Sequence, residues 1–160
     1  MRNTAKFAHL LGLGLFLGSI FTFAVASGVP APGDVASLAV ARRIISGGTS
    51  FVTLPALFVL VTSGSLLLWR DSSLTRHGWL RVMVIAAIVV VANALLAVTP
   101  AVRAATALAQ EAVGTGRLSP AYSRAYAIES VAGTVNIVLT LVAMACGVWK
   151  FGSTREDQPS

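Results

Sequence analysis

Four apolar blocks, each about as long as a bilayer is thick, restrict this chain more than any other feature. They cover residues 7–26, 51–69, 82–102 and 131–149. A transmembrane helix needs about 20 mainly apolar residues, whereas the strands of a membrane barrel alternate apolar and polar residues over about 10. The blocks are continuous, and only helices satisfy their own backbone hydrogen bonds in lipid. The sequence therefore predicts an all-α polytopic membrane protein with a bundle of four transmembrane helices.

The composition supports this class and limits the partners. Hydrophobic residues make up 56% of the 160 residues and charged residues only 11%, whereas a soluble domain carries about 25% charged residues. The net charge of +6 does not indicate nucleic-acid binding, because the basic residues flank the apolar blocks and form no single patch. We expect the lipid bilayer as surroundings, and a second copy or another membrane protein as partner. The single cysteine, Cys146, excludes an internal disulfide.

The connecting segments predict where the helices begin and end. One domain, residues 1–152, is expected to hold helices at about 5–27, 34–69, 79–112 and 120–150, followed by a disordered tail at 153–160. The turn VPAPGD makes Asp34 a candidate N-cap for the second helix. The pair Gly47-Gly48 predicts a flexible joint within that helix.

The first block has features of a signal peptide as well as of a membrane helix. Basic residues precede it, and residues 24–26 have the A-x-A form of a cleavage site. However, it is longer than the 7–15 residues typical of a signal peptide's apolar region, so we expect a retained helix. With four spans, seven basic residues lie on the side of the termini and five on the other. This bias predicts cytoplasmic termini. We expect the membrane to be a bacterial inner (plasma) membrane.

Stripes of residues three and four apart predict which helix faces point inward. In the first helix the stripe comprises His9, Gly12, Phe16, Ser19, Phe23 and Ala26. In the second helix it comprises Pro55, Thr62, Ser65 and Trp69, and in the fourth Tyr122, Tyr126, Glu129, Gly133, Asn136, Thr140, Met144 and Gly147.

The polar members of these stripes, with Asn93 of the third helix, support two interpretations. Asn93, Glu129, Asn136 and Thr140 form a polar face that either provides hydrogen bonds between helices or lines a polar cavity for a ligand. We expect Glu129 either to be solvated or to form an ion pair with Arg43 or Arg103, and the ion pair is favoured over the alternative of a proton carrier.

Candidate chemistry is confined to one end of the bundle. No HExxH, Walker or GxSxG motif occurs, so no catalytic residue is predicted and the sequence favours a non-enzymatic role. His9, Met83, Met144 and Cys146 lie near the same membrane boundary, and their donor atoms suit copper or haem iron. Each of these side chains could equally serve in helix packing. His77, in a polar loop, is expected to be solvated.

Three segments resemble a known family. KFAHLLGLGLFLGSI, TLPALFVLVTSGSLLLW and WLRVMVIAAIVVVANALLAVTPAVR are similar to a family of uncharacterised small predicted integral membrane proteins. That family distantly resembles the CopD copper-resistance membrane domain and HemJ, the haem-associated protoporphyrinogen oxidase. The resemblance implies that His9 could inherit the haem-linked histidine of the first helix in HemJ-like proteins.

The chain also departs from that pattern. The family often has Trp-x-Gly-Gly where this chain has Phe16-Leu17-Gly18-Ser19, and Arg81 is the only basic residue near the start of the third helix, which is lysine-rich in HemJ. Three functions therefore remain open: an integral membrane protein that binds haem or copper through His9, a structural or partner-binding membrane subunit without a cofactor, and a HemJ-like membrane oxidase.

Overall fold

The computed structural model describes residues 2–69 and 78–149 of the protein. These residues form four long helices: α1 (Arg2–Gly28), α2 (Val35–Trp69), α3 (Gly78–Thr115) and α4 (Pro120–Trp149). Each is long and apolar enough to cross a membrane, and the described residues contain no strand. The all-α, four-span class predicted from the sequence is therefore confirmed. His77 and the tail at 153–160 lie outside the described residues, and the cytoplasmic location of the termini stays a prediction.

The helices differ in length, which divides the molecule into two layers. Helices α2 and α3 have 35 and 38 residues, and α1 has 27, so they are longer than α1 by roughly 12–16 Å at 1.5 Å per residue. In the layer to which α1 contributes, a cluster of buried residues comprises Phe16, Ala56, Leu57, Val90 and Ala94. A second cluster joins the first part of α2, the last part of α3 and the start of α4, and comprises Ala39, Ala105, Ala109, Tyr122 and Ala125.

The turn before α2 has the cap that the sequence predicts. The Asp34 carboxylate accepts hydrogen bonds from the amide of Ser37 at 3.0 Å and from its hydroxyl. These bonds from Ser37 lower the pKa of Asp34 below its ordinary value. A cap of this kind satisfies backbone N–H groups that have no partner within the helix.

Helices α2 and α3 each contain one widened π-helical segment. The segments are Thr49–Thr53 and Ala94–Val98, and each ends two residues before a proline, Pro55 or Pro100. Proline lacks the N–H that an α-helix would use, and a wider turn is one way to accommodate it. In α3 the Thr99 hydroxyl donates to the Ala94 carbonyl at 2.7 Å, and the same oxygen also accepts from the Thr99 backbone N–H.

The expected flexible joint at Gly47-Gly48 is wrong. The helix runs through both glycines into the π segment. Glycine fits at position 48 for a steric reason, because a Cβ at this position would overlap the ring of Phe23. Gly48 therefore allows α1 and α2 to approach closely.

The expected inward face of α2 is also wrong. Pro55, Thr62, Ser65 and Trp69 are exposed, and the buried residues of this stretch are Thr53, Ala56, Leu57 and Ser63. The Thr62 hydroxyl can face lipid because it donates to the Phe58 carbonyl of its own helix at 2.8 Å. A hydroxyl that bonds to the preceding turn does not need a partner on another helix.

The contact between α1 and α2 depends on Gly12. A Cβ on Gly12 would lie 3.0 Å from the Leu60 amide nitrogen and 3.1 Å from the Ala56 carbonyl oxygen. By contrast, a Cβ on Gly14 would meet no atom within 4 Å. Gly12 therefore allows close backbone approach, as small residues do at membrane helix interfaces.

We predict that Gly12→Val destabilises the protein by about 1–3 kcal/mol, because the added carbons force α1 away from α2. Gly14→Val is the matched control and should change stability by less than about 0.5 kcal/mol. Unfolding by SDS titration in detergent, followed by circular dichroism, measures both. Equal losses for the two variants would show that the contact is not tight.

Candidate functional site

A buried ion pair joins α2 to α4. Arg42 of α2 is only 1% exposed, and its Nη1 donates to Oε2 of Glu129 of α4 at 2.6 Å. The Glu129 side chain is 14% exposed. The expected partners of Glu129, Arg43 and Arg103, are both exposed, so that expectation is corrected. One residue along a helix is a rotation of about 100°, which turns Arg42 inward and its neighbour outward.

Two tyrosines of α4 hold the Arg42 guanidinium. The Arg42 Nε donates to the Tyr122 hydroxyl at 3.2 Å. The guanidinium carbon lies 5.6 Å from the ring centroid of Tyr122 and 4.9 Å from that of Tyr126. The two rings are stacked, with their centroids 6.2 Å apart. Cation–π contacts of this kind contribute up to about 2 kcal/mol each when water is excluded.

The cluster also reaches α3 and leaves one donor unused. The Thr106 hydroxyl of α3 lies within hydrogen-bond distance of the Arg42 carbonyl, at 3.2 Å, and donates more closely to Val102 of its own helix. Nη2 of Arg42 is buried without a hydrogen-bond partner among the described residues. The guanidinium that carries this nitrogen lies close to the rings of Tyr122 and Tyr126, so its surroundings are not purely aliphatic.

A cavity of about 230 Å³ lies beside this ion pair and is lined by residues of all four helices. Most of its wall is apolar, and the polar groups in the wall include Glu129, Asn136, Thr49 and Thr53. Both π segments contribute to the wall: Thr49 and Thr53 come from the first, and Ala94 and Val98 from the second. Widened helical turns of this type are frequent at functional sites.

Hydrogen bonds between helices satisfy most of the polar face predicted from the sequence. The Asn93 amide nitrogen donates to the Asn136 side-chain oxygen at 2.7 Å and to the Ala132 carbonyl at 2.8 Å. The Thr140 hydroxyl donates to the Asn136 carbonyl at 2.7 Å within α4. Asn93 and Asn136 thus join α3 to α4, while Glu129 and Asn136 also border the cavity.

Glu129 differs from the other members of that face. Its Oε2 is held by Arg42, but within residues 2–69 and 78–149 its Oε1 has no hydrogen-bond partner. A carboxylate oxygen in the wall of a mainly apolar cavity is an acceptor that a ligand could use.

The predicted metal or haem ligands lie on three helices: His9 on α1, Met83 on α3, and Met144 and Cys146 on α4. The Nδ1 of His9 lies 3.1 Å from the Leu60 carbonyl oxygen and 3.3 Å from the Ser63 hydroxyl, so His9 packs on α2. Met83 packs on α4, where its Sδ lies 3.6 Å from a Cβ built on Gly147. Cys146 is half-buried and Met144 is 38% exposed. In the part of the chain that is described, no three His, Cys, Asp or Glu side chains cluster as metal ligands.

Arg42 is not among the residues predicted to face inward, although its position in the sequence carries a signal. Ala39, Arg42 and Ile45 are spaced by three, and all are buried. An arginine in step with two apolar residues on a helix indicates an inward position. The adjacent Arg43 obscured this signal, because the two arginines together resemble a basic flank of a membrane span.

A family model described as "Predicted integral membrane protein (DUF2269)" matches residues 3–151. The chain belongs to this family. No curated protein and no solved structure matches. The DUF2269 protein is thus an integral membrane protein of a family whose function is uncharacterised, and the resemblance to CopD and HemJ is not shown by these comparisons.

We predict that Arg42→Gln costs the DUF2269 protein about 3–5 kcal/mol of stability, because it leaves Glu129 partly buried without its ionic partner. Arg43→Gln is the matched control, since its side chain is exposed and should change stability by less than about 0.5 kcal/mol. SDS titration in detergent measures both.

The double variant Arg42→Met with Glu129→Leu removes both charges together. It should recover at least half of the loss, because no unpaired charge remains. A double variant as unstable as Arg42→Gln would show that the tyrosine contacts, and not the ion pair, carry the stability.

Proposed function

We propose that this DUF2269 protein is a non-enzymatic membrane protein that binds a small ligand in the cavity beside Glu129. The observation that carries the proposal is the position of Glu129 in the cavity wall, where one carboxylate oxygen is paired to Arg42 and the other has no hydrogen-bond partner among the described residues. Ionisable side chains within membrane helices are costly and mark ligand or ion sites.

The rest of the cavity wall supports the same function. Small-molecule sites are concave, mainly apolar and contain a few placed polar groups. Here aromatic and aliphatic residues such as Phe16, Phe23 and Ile137 supply the apolar surface, while Glu129 and Asn136 supply the polar groups. The polar face then has two roles: Asn93 joins helices, and Glu129 binds the ligand.

The test uses a variant that fills the cavity. Gly133 lines the cavity, and a Cβ on it would meet no atom within 4 Å, so position 133 has room for a larger side chain at the cavity wall. We predict that Gly133→Leu weakens binding of two probes, 1-naphthol and 1-methoxynaphthalene, at least tenfold. Gly14→Leu is the matched control, because Gly14 is exposed and does not line the cavity.

Binding is measured by probe fluorescence with the protein in lipid nanodiscs, and empty nanodiscs give the contribution of lipid partitioning. The control variant should bind both probes as the wild type does. If Gly133→Leu binds both probes as well as the wild type, the cavity is not the binding site. Melting temperatures of the two variants check that each is folded.

A second candidate function, haem or copper binding at His9, is favoured by one hydrogen bond. A carbonyl oxygen only accepts, so Nδ1 of His9 carries the proton in its contact with the Leu60 carbonyl. The neutral ring then has its lone pair on Nε2, and histidines that bind metals are commonly oriented by such a bond. Met83, Met144 and Cys146 remain proposed further donors for copper.

We predict that the purified protein titrated with haem or with Cu²⁺ loses its complex in His9→Ala and keeps it in His77→Ala. The Soret band reports haem, and retained metal after gel filtration reports copper. No Soret shift and no retained copper in the wild type would leave His9 as a packing residue, which is the role expected of a structural or partner-binding subunit. Oxidation of a porphyrinogen by a haem-loaded protein would be needed before a HemJ-like oxidase is considered.

A further inference from the structure

The cavity has an opening, and exposed residues in its wall locate it. Of the residues that line the cavity, four are exposed: Ala24 of α1, and Tyr126, Ser130 and Thr134 of α4. We call these four residues the window. Helix α1 packs mainly on α2 and α4 mainly on α3, with little contact between α1 and α4. The cavity therefore opens sideways, between α1 and α4, at the start of the last apolar block.

The α4 side of the window carries a row of hydroxyl groups. Tyr126, Ser130 and Thr134 are four residues apart, so they lie along one side of the helix. The Thr134 hydroxyl donates to the Ser130 carbonyl at 2.9 Å. The hydroxyls of Tyr126 and Ser130 have no hydrogen-bond partner in the described ranges. Polar groups on a surface that faces lipid are unfavourable unless they serve a polar partner.

The charges at the cavity indicate the class of ligand. Arg42 already neutralises Glu129, so the ion pair has no net charge that would attract a cationic or an anionic ligand. The Oε1 of Glu129, which has no partner within the described part of the chain, can only accept a hydrogen bond, so it requires a donor on the ligand. The apolar remainder of the wall, including Ile20, Val98 and Val102, suits an apolar body.

We infer that the ligand of the proposed site is a neutral, lipid-soluble amphipath with a hydroxyl or similar donor, and that it enters from the bilayer through the window. The hydroxyl row gives the polar group of such a molecule successive partners on its way to Glu129. This inference rests on the proposed function, and it adds the chemical class and the route.

The class is tested with the same two probes, which differ only in the donor. We predict that the wild type binds 1-naphthol at least tenfold more tightly than 1-methoxynaphthalene, after correction for lipid partitioning. Equal affinities, with both lost in Gly133→Leu, would overturn the donor requirement and leave the cavity as the binding site. Failure of both probes to bind the wild type would overturn the proposed function, and the inference with it.

The route is tested with two threonines that have the same local structure. Thr134 lies in the window, and Thr62 is exposed on α2 away from the cavity; each hydroxyl donates to the carbonyl four residues earlier. We predict that Thr134→Phe slows both uptake and release of 1-naphthol at least tenfold in stopped-flow fluorescence, while Thr62→Phe changes neither. Equal rates in the two variants would overturn entry through the window without affecting the cavity.

A second variant keeps the test valid if Thr134→Phe does not fold. Ala24→Phe narrows the window from the α1 side, where the added ring replaces an exposed methyl group. It should slow uptake and release in the same way. Unchanged rates in a folded Ala24→Phe protein would overturn the lateral route.

Discussion

The ion pair between Arg42 and Glu129 is the interaction on which the arrangement of α2, α3 and α4 depends. A guanidinium that is 1% exposed needs a charged partner, because an unpaired buried charge costs several kcal/mol. A slip of α4 along α2 by one turn would move the carboxylate by about 5.4 Å and break the contact. Tyr122 and Tyr126 would move with it, since all three partners lie on α4. The pair therefore specifies the register of these helices, whatever it adds to net stability.

The cavity follows from what surrounds this pair. Both π segments lie in its wall, and both precede a proline that removes a backbone donor. Phe16 and Phe23 of α1 approach the same space from the side, and the close α1–α2 contact through Gly12 and Gly48 holds them there. An ion pair, two widened turns and one tightly packed helix pair together leave a space that no side chain of the described residues fills.

The sequence predicts features that depend on local composition. The apolar blocks predict four helices, and the sequence VPAPGD predicts the Asp34 cap, because bilayer thickness and capping chemistry act on short segments. It does not predict which face of α2 is buried, since Thr62 satisfies its hydroxyl within its own helix. The sequence also does not distinguish Arg42 from Arg43, because the rotation of α2 about its axis decides which of the two side chains faces α4. No sequence pattern predicts the cavity, because its wall combines residues of all four helices.

The two proposed sites are separate in space, so each can be tested without altering the residues of the other. His9 contacts Leu60, whereas the α1 residues that line the cavity begin at Phe16 and extend to Ser27. Ile20, in the middle of that stretch, is eleven residues beyond His9, or about 16 Å along the helix. A cofactor at His9 would lie near the side of the termini, and a ligand beside Glu129 near the opposite side. Helices α1 and α2 both reach the two sites, so a change in how α1 packs on α2 is a route by which occupancy of one site could affect the other.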